Sequence, residues 1–145
     1  MEDKTVRLNG QQIAQLVQQE RDKLGETNRR IASFQNFRTE MYGARDALAE
    51  LGKNGKGEKM LVNLGAGIFV HAIIDDTEKG IASLTGNVFR ETDRKELEKM
   101  LEQRIAEIDK ATEKAAQEQQ HTLARLTQLE QVLSAGMQYM QRQQK

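Results

Sequence analysis

Apolar residues recur at two different periods along this chain, and the change between them divides it into three parts. Ile13, Val17, Leu24, Ile31, Phe34, Met41 and Leu48 stand on alternating steps of three and four, with Glu20, Thr27, Arg38 and Arg45 completing the series. That is the a and d seam of a helix sustained over about five heptads, and so narrow a stripe needs a partner helix. A second stripe supplies it: Leu101, Ile105, Ile108, Thr112, Ala115, Gln119, Thr122, Leu126, Leu129, Leu133, Gly136 and Met140. Between the two, residues 60–93 lose helical spacing. Runs at 60–64, 68–74, 80–84 and 88–91 are rich in β-branched and aromatic residues. Gly65-Ala66-Gly67, residues 75–79 and Thr85-Gly86-Asn87 separate them, which predicts four strands in two successive hairpins.

Boundary signals agree with this division. Asn9 with Gln12 has the spacing of a capping box, and Leu8 with Ile13 that of a hydrophobic staple, so the first helix is expected to start near Asn9. Gly52 and the run 53–57 are expected to stop it and form a flexible basic linker. Asp93 with Glu96 is expected to cap the second helix. Each helix is about 45 residues, roughly 65–70 Å at about 1.5 Å per residue. The fold class is therefore α+β: one domain over 1–145, with helices at 1–52 and 93–145 paired as a long antiparallel coiled coil and a linker with two hairpins at 53–92. Pairing residues whose numbers sum to about 146 sets Thr27 against Gln119, Leu24 against Thr122 and Ile31 against Ala115. These thin layers, beside the weak helix formers of Gly25-Glu26-Thr27-Asn28, predict local opening at that height.

Composition narrows the function. Lys and Arg number 22 and so do Asp and Glu, which gives no bulk attraction to nucleic acid or to an anionic membrane. There is no cysteine, so disulfide and thiolate chemistry are excluded, and no proline interrupts the helices. Without a signal-like amino terminus or an apolar run long enough to span a bilayer, the expected location is the cytoplasm. Gly65-Ala66-Gly67 lacks the strand, helix and Lys-Ser/Thr context of a phosphate loop and reads as a hairpin turn needing positive φ. Asp75, Asp76 and Glu78 lack a calcium-loop pattern, and His71 and His121 stand apart with no cysteine, so neither metal nor cofactor is expected. No constellation suits acid-base or nucleophilic catalysis, and an enzyme is not expected.

Two features ask for partners. Leu61, Val62, Leu64, Ile68, Phe69, Val70, Ile73, Ile81, Leu84, Val88 and Phe89 are too many apolar residues for two isolated hairpins to cover. Their open edges and faces are expected to pair with strands of other subunits. The helix ends remote from the strands carry Val6, Leu8, Ile13 and Val17 on one side and Leu133, Met137, Tyr139 and Met140 on the other. Methionine and glutamine make such a surface adaptable.

Helix, glycine-rich linker, two hairpins and second helix, with Val62-Asn63-Leu64-Gly65-Ala66-Gly67-Ile68-Phe69-Val70 followed by Asp75-Asp76-Thr77-Glu78-Lys79, resembles the alpha-class subunit of prefoldin. Beta-class subunits have one hairpin. Asn63 stands where that family commonly has proline, and Thr85-Gly86-Asn87 replaces a Gly-x-Gly turn, a change that asparagine's tolerance of left-handed backbone is expected to absorb. The resemblance implies an ATP-independent holdase in which two alpha-class and four beta-class subunits join their strands into β-barrels as a platform. Coiled-coil tips would hold unfolded polypeptide, through the remote-end residues named above, and pass it to a group II chaperonin. A coiled-coil scaffold or regulatory subunit that recognises one folded partner is the competing expectation.

Overall fold

The computed structural model describes residues 8–144, so Val6 lies outside the described residues. The element order is α1 (Gly10–Asn54), β1 (Lys59–Gly65), β2 (Ile68–Ile73), β3 (Lys79–Thr85), β4 (Val88–Asp93) and α2 (Arg94–Gln143). Two long helices therefore flank two small antiparallel hairpins. The chain forms two compact units. Among the described residues, one joins those up to Gln35 with those from Lys110 onward, and the other is Asn36–Asp109.

In the first unit α1 begins with the expected reciprocal cap: Gln12 N donates to Asn9 Oδ1 at 2.8 Å, and Asn9 N donates to Gln12 Oε1 at 2.9 Å. Two amides that the first turn would leave unpaired are satisfied this way. The helices run antiparallel in the expected register. Arg21 bonds Glu130 at 2.7 Å, Gln119 Nε2 donates to Asn28 Oδ1 at 2.6 Å, and Arg30 bonds Glu118 at 2.5 Å. The Arg30 guanidinium, hydrogen-bonded to Glu118, holds that carboxyl below its ordinary range. Val17 and Leu126 are buried in the seam, and Glu20, also buried, meets Arg125 Nε at 3.3 Å.

The layer read from the sequence as thin is closed. Thr122, Thr27 and Ala115 are 0%, 2% and 2% exposed, lower than the buried Val17, Ile105, Leu126, Leu97 and Glu20. Short side chains end below the surface of the surrounding residues, so small size here gives burial. Leu123 takes no part in filling the layer, being half exposed.

In the second unit Arg38 Nε donates to Asp109 Oδ1 at 2.7 Å, and the Arg38 and Arg45 guanidinium groups lie 4.8 and 4.4 Å from the centre of the Tyr42 ring. The strands form two separate two-stranded sheets, β1 with β2 and β3 with β4. Ala66 (φ 51°) and Gly67 (φ 77°) turn the first hairpin with positive φ at both central positions, the backbone that matches strand twist. Asn63 Oδ1 accepts from Gly65 N at 2.8 Å and holds the bulge before that turn, a bond a proline could not make. In the second turn Gly86, not Asn87, takes the positive φ, at 53°. The expected rescue by asparagine is therefore not used.

Three boundary expectations are corrected. Helix α1 continues past Gly52 to Asn54, and Gly55 N still donates to Leu51 O at 3.0 Å. The linker is not free: Gly57 N donates to Ile74 O and Ile74 N to Glu58 O, at 2.8 and 3.1 Å, extending the first hairpin backwards. The third concerns bonding and not position: α2 starts at Arg94, directly after Asp93 as expected, but Asp93 closes β4 opposite Lys79, Glu96 pairs with Lys99 one turn on, and Arg94 N donates to Glu78 O at 2.7 Å.

Arg94 joins three elements. Its Nε donates to Thr77 O at 3.1 Å, its Nη1 lies 3.2 Å from Glu98, and its guanidinium covers the Cα of Gly52 so closely that a methyl group there would collide with it. A cation thus sits over the last turn of α1, where the helix dipole favours one. Gly80 on β3 fulfils a similar condition, since a Cβ would stand 2.5 Å from Leu97 Cδ1. The second hairpin docks there on the start of α2 through Gly80 and Ala82, which are half-buried.

Candidate assembly and client surfaces

Alternation decides what the hairpins present. In β3 and β4, Gly80, Ala82 and Thr92 turn inward, while Ile81 pairs with Glu91 and Ser83 with Phe89 on the opposite face. Ile81 is 69% exposed and Phe89 63%. In the first hairpin Leu61 opposes His71 and Asn63 opposes Phe69 on one face, and Val62 opposes Val70 on the other. Of the expected assembly residues, Leu61, Leu64, Ile68, Phe69, Val70, Ile73, Ile81, Leu84, Val88 and Phe89 are exposed and Val62 is half-buried. Met60, also exposed, escaped the sequence reading, although its place beside Leu61 in an apolar run was the signal. Each strand has one neighbour, so each hairpin leaves two rows of backbone donors and acceptors open.

The remote-end residues divide. Leu8, Met137, Tyr139 and Met140 are exposed, Ile13 and Leu133 are half-buried, and Val17 is 5% exposed within the seam. Val17 therefore supports the helix pair rather than presenting surface. Val132, missed in the sequence because it is not a seam position, is exposed beside Leu133. A groove of about 290 Å³ lies among Leu8, Ile13, Val132, Leu133, Met137 and Met140. A second groove, of about 580 Å³, is more polar, with Gln18, Arg21, Glu130, Ser134, Gln138 and Gln141 on its walls.

Among the described residues no group of three or more His, Asp or Glu is placed to hold a metal ion, and no helix is long and apolar enough to cross a membrane. What the chain offers is recognition surface: open strand edges with apolar faces in one unit and an apolar helix end in the other. These features define a coiled-coil subunit carrying unpaired β-hairpins.

The prefoldin subunit family model matches residues 11–139, and the chain belongs to that family. Prefoldin is a non-enzymatic chaperone family, and membership supports a chaperone-type role. Among solved structures, a chain from the cryo-EM structure of filamentous PFD from Methanocaldococcus jannaschii has the same fold, with a TM-score of 0.70 at 18% identity. The match covers 80% of this chain and 96% of that one. No curated protein matches the sequence.

Proposed function

We propose that this chain is an alpha-class prefoldin subunit: an ATP-independent holdase component, cytoplasmic, that assembles through its strands with beta-class subunits and captures unfolded polypeptide at its helix ends for a group II chaperonin. The observation that carries the reading is the pair of hairpins, two rather than one, whose apolar side chains and backbone edges stay open on a chain of a chaperone family. A barrel shared between subunits closes such edges, and two alpha-class with four beta-class subunits is the assembly we expect. The similar M. jannaschii chain belongs to a filamentous assembly, so the mass of the purified chain is to be measured with and without a beta-class subunit.

The functional test is suppression of aggregation of several unrelated denatured proteins, without ATP, by the assembled complex. Activity toward many clients is expected, and it should be lost while assembly survives when residues 1–12 and 134–145 are removed together. Protection of a single protein, or undiminished activity after the truncation, would overturn the proposal in favour of a scaffold with one folded partner or of capture elsewhere.

A further inference from the structure

Three elements of the hairpin unit meet around a groove of about 450 Å³. Ala44 and Ala47 line it from α1, Leu97 and Leu101 from α2, and Gly80 and Ala82 from β3. Its volume falls in the range of about 300–1,000 Å³ typical of small-ligand sites. A Cβ on Gly80 would strike Leu97 Cδ1, so β3 sits against α2 with no room to spare. Ala44 and Ala47, both exposed, end at a methyl group and leave the space between α1 and β3 unfilled. Gly80 and Ala82 turn toward the helices, and Phe89 stands on the opposite face of the hairpin. The groove is therefore distinct from the apolar face expected to meet other subunits, although Ile81 borders both.

One charge stands in this aliphatic wall. Arg104 lines the groove, and its Nη2 donates to Ser83 O on β3 at 3.2 Å. Arg21, Arg30, Arg38, Arg94 and Arg125 each meet a carboxylate, whereas Arg104 forms no ion pair among the described residues. The carbonyl bond ties its guanidinium to the β3 wall and leaves other donors of the group available. Arg90 of β4 stands opposite Ala82, on the same face of the hairpin, and it too pairs with no carboxylate among the described residues. Such a cation beside an apolar groove is complementary to an anionic head on an apolar chain, because charge-assisted hydrogen bonds are roughly twice as strong as neutral ones.

We propose that this groove binds a single-chain amphiphile with a carboxylate head, the chemistry of a medium-chain fatty acid. The aliphatic chain lies among Ala44, Ala47, Leu97 and Leu101, and the carboxylate accepts from Arg104. A cationic head would be repelled by Arg104 and Arg90. An uncharged apolar group would leave the guanidinium unused, and a bare anion would leave the aliphatic walls uncovered. The site stands in the hairpin unit and does not depend on client capture.

The full chain in its purified assembly is to be titrated by calorimetry with sodium hexanoate, octanoate and decanoate and with decyltrimethylammonium, all below their micelle concentrations. Decanoate should bind with a Kd of about 0.1 mM or tighter, and each two added methylenes should tighten binding about tenfold. Decyltrimethylammonium should bind at least about tenfold more weakly than decanoate. Arg104→Gln should weaken decanoate at least about fivefold without weakening the cation. Ala44→Leu, at an exposed helix position that leucine suits, should weaken decanoate at least about fivefold at unchanged mass, whereas added apolar surface alone would strengthen it. Equal binding of the two head groups overturns the site, as does decanoate binding unchanged by Arg104→Gln or by Ala44→Leu. A lower mass for Ala44→Leu would assign the groove to a neighbouring subunit and overturns the proposal as well. So does an assembly that binds no decanoate; binding by the Phe69→Asp chain alone would then show that a neighbouring subunit covers the groove.

Discussion

Thr122 gives the sharpest test of the packing argument. Its side chain is 0% exposed, and Oγ1 has no hydrogen-bond partner among the described residues. By contrast, Thr127 donates to Leu123 O one turn back. A buried polar group left unpaired costs about 1–3 kcal/mol. Thr122→Val keeps the shape, replaces the hydroxyl by a methyl, and scarcely alters helix propensity, so a gain of about 1–2 kcal/mol is expected. Thr122→Ser keeps the hydroxyl and deletes a buried methyl, losing about 1 kcal/mol through transfer and void. The order valine, threonine, serine should appear in urea midpoints followed by circular dichroism at one fixed protein concentration, because assembly makes stability concentration-dependent. Amide exchange at residues 24–28 and 115–122 should slow in the valine variant. If valine proved no more stable than threonine, the unpaired hydroxyl would not be the cost we assign to it. If exchange in this layer were faster than at 34–48 and 97–108, burial would not be restraining the opening that weak helix formers favour.

Four further outcomes follow from the structure. Phe69→Asp should block assembly, seen as a fall in mass by light scattering, while helical circular dichroism stays largely unchanged, since Phe69 is 55% exposed on the hairpin; an unchanged mass would contradict strand-mediated assembly. Gly80→Val drives a side chain into Leu97 and should destabilise by about 1–3 kcal/mol as overpacking does, lowering the thermal midpoint. Ala66→Gly relieves an L-residue held at φ 51° and should stabilise the first hairpin by about 0.5 kcal/mol after the entropy of glycine is counted, read as a higher urea midpoint. The Arg30 hydrogen bond holds the Glu118 pKa below its unfolded value, so the stabilisation is present above the ordinary carboxylate range and lost as pH falls through the folded value; Glu118→Gln should flatten that part of a midpoint-versus-pH curve.

Local rules carried the reading wherever one residue's neighbours in sequence are also its neighbours in space. The Asn9–Gln12 cap, the seam from Val17 to Leu126 and the positive φ after Gly65 depend only on residues within a few positions or on a helical repeat, and all were legible. The same holds for the open hairpin faces, because strand alternation around Phe69 and Phe89 offers more apolar side chains than two hairpins can cover. Asp93 marked the start of α2 correctly, whereas Gly52 misled for the converse reason: its local signal was genuine, but α1 runs on to Asn54 where the Arg94 guanidinium lies over Gly52 and links α1, the turn at Thr77 and α2.

By itself, then, the sequence determined that this chain forms two long helices around two hairpins with unsatisfied apolar faces, because periodicity and turn chemistry act within a few residues. Tertiary structure alone decided that the short seam residues Thr27, Ala115 and Thr122 are buried more deeply than Val17 and Leu126, that Val17 is withdrawn from the surface while Val132 is exposed, and that a groove opens beside Gly136. Burial and empty space depend on what the partner helix places opposite a residue, and no stretch of one strand of sequence contains that information.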